Sequence, residues 1–136
     1  MATFLLELVT PERILLSEQV SSVRAPGIDG SFGILTGHAP LMTALGVGLV
    51  KVEYPNGDLE YIATSGGFIE VNREKTIILS DTAERAADID ATRAEGAIER
   101  AKEHLTDGSA ENYGEARAAL ERATNRLKVI QMSKER

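Results

Sequence analysis

The chain has 136 residues, 43% hydrophobic and 26% charged, with a net charge of −6; that is one ordinary domain, or a small domain with an appendage, able to bury a core without staples. The lack of cysteine excludes disulfides, thiolate catalysis and cysteine-ligated zinc, and two isolated histidines, His38 and His104, do not make a metal cluster. An acidic surface argues against nucleic acid as a partner, and neither a bilayer-length apolar run nor a basic, cleavable leader is present, so a cytosolic-type protein is expected, meeting a membrane only through other chains.

From the start to about residue 84 the pattern is that of short strands. Phe4, Leu6 and Leu8 alternate with Leu5, Glu7 and Val9, and Val50, Val52 and Tyr54 alternate with Lys51 and Glu53. Period two marks half-buried strands. Tyr54-Pro55-Asn56-Gly57-Asp58 supplies an Asn-Gly turn leading into Leu59–Ala63, because Asn and Gly tolerate positive φ. A second tight turn at 71–76 joins Phe68–Val71 to Thr76–Leu79. Most glycines lie before residue 70, where turns and bulges need them. Short strands with regular turns predict a sandwich or flattened barrel.

After Ser80 the period changes. Residues 82–88 read as a connector, and Asp88 or Asp90 caps a helix running to about Leu105. Its apolar positions are Ala91, Ala94, Ile98, Ala101 and Leu105. The stretch Thr106–Ser109 breaks it, and a second helix runs from about Asn112 to Gln131 with Tyr113, Ala116, Leu120, Ala123, Leu127 and Ile130 in a 3-4 spacing. Two such seams joined by a short connection predict an antiparallel helical hairpin. Alanine-rich seams bury little, at about 0.8 kcal/mol per methylene-sized group. The seam is therefore either a weak contact that opens when another surface competes for it or a close, permanent small-residue packing.

Charge is split as well. Residues 1–84 carry 5 basic and 11 acidic groups, whereas residues 85–136 carry 10 of each. Within 115–136, Arg117, Arg122, Arg126, Lys128, Lys134 and Arg136 outnumber three acidic residues. Such a helix either docks on an acidic partner or is a solvated face with cations favoured near its C-terminus.

The segment Gly30-Ser31-Phe32-Gly33-Ile34-Leu35-Thr36-Gly37-His38-Ala39-Pro40-Leu41 resembles the G-x-x-G-I-L-x-G-H-x-P-L signature of the epsilon subunit of F-type ATP synthases. Gly66-Gly67-Phe68-Ile69-Glu70-Val71 resembles the second signature of the family, and Leu8–Arg13 and Arg122–Leu127 fit it too. Together they cover essentially the whole chain. Gly33 and Gly37 permit tight backbone geometry and Pro40 fixes φ after the turn. With no Ser, Cys or carboxylate pair nearby in sequence, His38 reads as structural, and His104 as an exposed cation near a helix C-terminus.

The resemblance implies a mainly β plus α fold: a ten-stranded β-sandwich over 1–84, then an antiparallel two-helix hairpin over 85–136. It implies a non-catalytic rotor subunit of the central stalk, bound to the gamma subunit and the c-ring and held peripherally at the cytoplasmic face of the inner (plasma) membrane. Docking candidates on the sandwich are Gly30, Phe32, His38, Ala39 and Leu41. The hairpin is expected to fold against the sandwich or to extend into the catalytic head, where it inhibits ATP hydrolysis by meeting the beta and alpha subunits. Arg117, Arg122, Arg126 and Lys128 are the candidates for that contact.

No G-x-x-x-x-G-K-[ST] loop is present, so the chain is not expected to hydrolyse ATP. Ile89-Asp90-Ala91-Thr92-Arg93-Ala94 resembles the I/L-D-x-x-R-A motif of the epsilon subunits that bind ATP. The resemblance implies a site from Glu84, Ile89, Asp90, Arg93, Ala94, Arg100, Arg122 and Arg126, with ATP as a regulatory ligand and no cofactor required. Guanidinium forks suit phosphate oxygens. The plainer reading is surface ion pairing, Asp90 with Arg93 or Glu99 with Lys102. A long connection, Thr106 to Gly114, bears on the register of the facing arginines. The alternative function is a stand-alone ATP-sensing module with no part in a motor. An enzyme or a sugar-binding sandwich fits poorly, for want of clustered catalytic residues or aromatic residues.

Overall fold

The computed structural model describes residues 2–106 and 110–134. Among them lie ten strands, β1 Phe4–Val9, β2 Ile14–Val20, β3 Ser22–Gly27, β4 Gly30–Leu35, β5 Leu41–Leu45, β6 Gly48–Glu53, β7 Leu59–Thr64, β8 Gly67–Val71, β9 Lys75–Ser80 and β10 Ala83–Arg85. A 3-10 turn at Ala86–Asp88 leads to two helices, α1 Ala91–Thr106 and α2 Ala110–Lys134. The predicted helix break falls at 107–109, outside the described residues, as does Arg136 of the basic tail.

The strands form one hydrogen-bonded path, β10-β7-β6-β3-β5-β8-β9-β1-β2, with β4 added on β3. Every pairing is antiparallel except β1 with β9. The path folds over at β3, which runs along β4 and β6 but meets β5 only at Gly27↔Leu45. Two layers result, and the expected alternation fills the space between them: Leu6 and Leu8 from β1, Val50 and Val52 from β6, Ile69 from β8 and Ile78 from β9 are fully buried. The sandwich is the ten-stranded one expected. The connector assigned to 82–88 is corrected, since it contains β10 and the 3-10 turn. A three-residue strand is too short to show a period.

The turns follow their chemistry. Gly57, at φ +91°, closes the β6–β7 hairpin with its N–H donating to the Tyr54 carbonyl at 2.9 Å. The Asn72 side chain accepts from the N–H groups of Glu74 and Lys75, both at 2.9 Å, to form the β8–β9 turn. In the first signature Gly30 and Gly37 have positive φ, +129° and +82°. Gly33 stands in β4 opposite Arg24, in extended backbone, so of the two glycines expected to permit tight geometry only Gly37 does so.

Asp90, one of the two expected caps, starts α1: its carboxylate accepts from the Arg93 N–H at 3.1 Å and its carbonyl from the Ala94 N–H at 3.0 Å. The helices pack along one another. Ala94 and Ala101 on α1, and Ala116 and Ala123 on α2, are buried at a seven-residue spacing, as the seam predicts. Tyr113 is not part of the buried seam; it is 50% exposed. The second helix starts at Ala110 rather than Asn112, so Gly114 lies inside it and the long connection expected to that point is absent.

Only α2 packs extensively on the sandwich, against β6 and β7. Arg122, Asn125, Arg126 and Val129, spaced 3, 1 and 3, share the helix face that meets it. Val129 is fully buried against Tyr61 and Ala63 of β7, and Asn125 donates to the Gly48 carbonyl at 2.8 Å.

Candidate functional site: an arginine-lined cavity and an apolar sheet face

A cavity of about 490 Å³ opens where β10, the start of α1 and α2 converge, lined by Thr82, Glu84, Asp88, Ile89, Asp90, Arg93, Ala94, Ala97, Arg100 and Arg126. Local chemistry places each wall. By capping α1, Asp90 sets the rotation of the helix, which turns Arg93, Ala97 and Arg100 to one side. β10 pairs Glu84 with Ala63 on the face of β7 that α2 covers. From α2, Arg126 reaches Glu84, Nε to Oε1, at 2.5 Å.

Seven of the eight expected nucleotide-site residues therefore line one cavity. The eighth, Arg122, does not. It lies in an adjoining crevice with Glu84 and Arg126 and contacts Glu115 at 3.3 Å. Its rotation on α2 follows from the docking of Val129 and Asn125, which nothing local in the chain announces. Thr82, Asp88 and Ala97 are lining residues that the motif does not contain; the signal for Ala97 is its place between Arg93 and Arg100 on one helix face.

The charge state of the cavity is specific. Asp90 is spent on capping and Glu84 on Arg126. Among the described residues neither Arg93 nor Arg100 has an ion-pair partner, and the Asp90–Arg93 and Glu99–Lys102 pairs of the plainer reading are not formed. Two guanidinium groups without an ion pair, with the Asp88 carboxylate on the same lining and an apolar floor of Ile89, Ala94 and Ala97, offer phosphate donors beside a flat apolar surface. Of the inhibitory candidates, Arg117 and Lys128 are exposed on α2, whereas Arg122 and Arg126 are turned toward the sandwich.

A second feature lies on the outer face of the layer formed by β5, β8, β9, β1 and β2. The registers Ala44↔Phe68, Phe68↔Leu79, Leu79↔Val9 and Val9↔Ile14 set five apolar residues in a row across five strands. Phe68 is 55% exposed, Leu79 53%, Ile14 62% and the neighbouring Met42 68%. An exposed apolar stripe of this extent marks a contact surface. The docking residues expected from the first signature sit elsewhere. Gly30, His38 and Ala39 are exposed around the ends of β4, where His38 Nδ1 donates to the Ala39 carbonyl at 2.7 Å, while half-buried Phe32 and Leu41 pack against the core. The stripe is legible only after pairing, because it joins alternate residues of strands distant in sequence.

Residues 3–86 match the family profile described as ATP synthase, Delta/Epsilon chain, beta-sandwich domain, and residues 87–131 match the long alpha-helix domain of the same chain. The chain is 46% identical over 127 residues to the ATP synthase epsilon chain of Desulforamulus reducens, covering 93% of this chain and 96% of that one. It is 47% identical over 133 residues to the corresponding chain of Herpetosiphon aurantiacus, covering 96% of both. Among solved structures it matches a chain in the Euglena gracilis mitochondrial ATP synthase (OSCP/F1/c-ring, rotational state 1) with a TM-score of 0.81 and 27% identity, over 89% of this chain and 77% of that one.

Proposed function

The chain belongs to the delta/epsilon family of ATP synthase subunits and is a non-catalytic member of it, and from that premise we propose that it is a rotor subunit whose two-helix arm is switched by nucleotide. The sandwich docks on gamma and the c-ring and holds the protein peripherally at the cytoplasmic face of the membrane. The arm has two positions. Folded, it lies as described above. Extended, it reaches the beta and alpha subunits and restrains hydrolysis through Arg117, Arg122, Arg126 and Lys128. ATP in the arginine-lined cavity favours the folded position, because it touches the sandwich through Thr82 and Glu84 and the arm through Arg93, Arg100 and Arg126.

The observation that carries this reading is that Arg93 and Arg100, neither in an ion pair among the described residues, line a cavity shared by the sandwich and both helices. Titrating the full chain with ATP tests it. A binding heat and a rise in melting temperature are expected, and Arg93→Ala is expected to weaken binding at least about tenfold, the size of one lost charge-assisted phosphate contact. No heat and no shift at millimolar ATP would remove nucleotide gating.

The rotor role has its own test, and it separates this reading from a stand-alone ATP sensor. The apolar row that contains Phe68 supports gamma docking. Phe68→Glu places a carboxylate within that row and is expected to weaken capture of gamma by about a hundredfold, in the range of buried interface anchors, with an unchanged melting temperature. Equal capture of gamma by this variant would move the interface off this face.

A further inference from the structure

We propose that Arg85 is a clasp that closes the sheet and fixes where the arm pivots, so that β10 stays on the sandwich when the arm leaves it. The inference rests on the reading that the arm is displaced, and it adds where the displacement stops.

β10 and β2 are the two ends of the nine-strand path. Arg85, the last residue of β10, spans them: one guanidinium nitrogen donates to the Leu15 carbonyl of β2 at 2.7 Å, and another pairs with the Glu60 carboxylate of β7 at 2.5 Å. Tyr54, at the end of β6, donates to the other oxygen of Glu60, also at 2.5 Å. The Tyr54 hydroxyl is held well above its usual pKa, first by burial and then by its hydrogen bond to Glu60, so it remains the donor. One planar side chain thus ties three strands, as a guanidinium fork can and an ammonium cannot.

Adjacent residues of β10 face opposite ways. Arg85 pairs with fully buried Ile62 and points into the sandwich, whereas Glu84 pairs with Ala63 and points to the cavity and Arg126. The chain beyond Arg85 is held differently. The 3-10 turn has no fully buried residue and no side-chain cap, Asp88 and Asp90 are exposed, and the half-buried Ala86 and Ile89 pack on a cluster that Val129 of the arm completes, so their hold weakens when the arm leaves. The rigid part ends at Arg85, and residues 86–90 form the hinge. The sandwich wall of the cavity, Thr82 and Glu84, then remains in place for the returning arm. Arg85 acts as a positioning residue, since it does not line the cavity.

Amide hydrogen exchange on the full chain tests this. Val129→Asp puts a charge at a fully buried contact and drives α2 off the sandwich, whether or not ATP binds or the arm swings unaided; Asn125→Ala with Val129→Ala is the milder version. Expected is fast exchange through 86–90, with β10 amides as slow as in the parent. Adding Arg85→Met is then expected to speed β10 exchange at least about tenfold, with β1 and β9 unchanged. Glu60→Gln serves the same purpose if Arg85→Met does not fold. Loss of β10 protection on arm displacement alone, or protection that survives removal of the clasp, overturns the proposal. Neither outcome bears on nucleotide gating, which the ATP titration reads.

Discussion

Gly67→Ala is expected to remove at least about 4 kcal/mol of stability and leave most of the chain unfolded, whereas Gly66→Ala next to it is expected to cost about half as much. Both glycines have positive φ, +120° at Gly66 and +138° at Gly67, a region costing about 1–3 kcal/mol for a residue with a side chain. They differ in what a methyl group would meet. At Gly66 its nearest neighbour would be the Leu45 carbonyl oxygen at 3.4 Å, an ordinary contact. At Gly67 it would overlap the Leu79 carbonyl oxygen and stand 2.9 Å from Ser80 Cα. Those atoms are backbone of β9, which pairs with β8 on one side and β1 on the other. No side chain can swing aside, so the sheet must separate, an overpacking cost of about 1–3 kcal/mol or more on top of the strain. Against a total of about 5–15 kcal/mol for a domain, that is decisive. Denaturant melts of the two variants check it, and equal loss at both positions would refute the backbone-overlap account. The Gly-Gly signature is in this sense a folding requirement: β8 must start in close backbone contact with its neighbour β9.

Most of the sandwich was legible where one strand face is polar. β1 and β6 show their period because Glu7, Lys51 and Glu53 interrupt it, and the β6–β7 and β8–β9 turns announce themselves through Asn56-Gly57 and Asn72. β3, β4 and β5 do not, since Pro26, Gly30, Gly33 and the outward Met42 and Ala44 blur the alternation; there the resemblance rather than the period supplied the strands. The row Ala44–Phe68–Leu79–Val9–Ile14 was hidden for a related reason. Each member looks like a spare core residue until register shows that all five face outward together. In the cavity, residues 89–94 and Arg100 were readable because a helix cap and one helix face are local matters. Arg122 was misplaced because the rotation of α2 is set by a tertiary contact. That contact was itself hidden: on the face Arg122-Asn125-Arg126-Val129 three residues are polar, so an apolar period selects the other face, the alanine seam.

In the proposed switch that second face of α2 sets the balance of the arm, and Val129→Ala is expected to shift it from folded toward extended by roughly thirtyfold. The substitution removes two methyl groups from a fully buried site against Tyr61 and Ala63, about 2 kcal/mol with the cavity left behind. Adding Asn125→Ala deletes the bond to Gly48 for about 1 kcal/mol more. The alanine seam between the helices is untouched by either change, so the two helices should move as a unit. Introduced cysteine pairs on α2 and β7, free of competition in a chain with no native cysteine, report the folded fraction through their crosslinking rate. In the assembled motor the variant is expected to inhibit hydrolysis more strongly at low ATP. Nucleotide at a hundred times its Kd returns about 2.7 kcal/mol to the folded state, which exceeds the loss from Val129→Ala but falls short of that from the double variant. ATP should therefore carry the single variant slightly past the balance of the nucleotide-free parent and leave the double variant slightly short of it. Tyr113→Ala, at a half-exposed position on the same helix, should change neither crosslinking nor inhibition. If Val129→Ala behaves like Tyr113→Ala, the arm is held by something other than its contact with β7, and the order of effects across the three variants would show it.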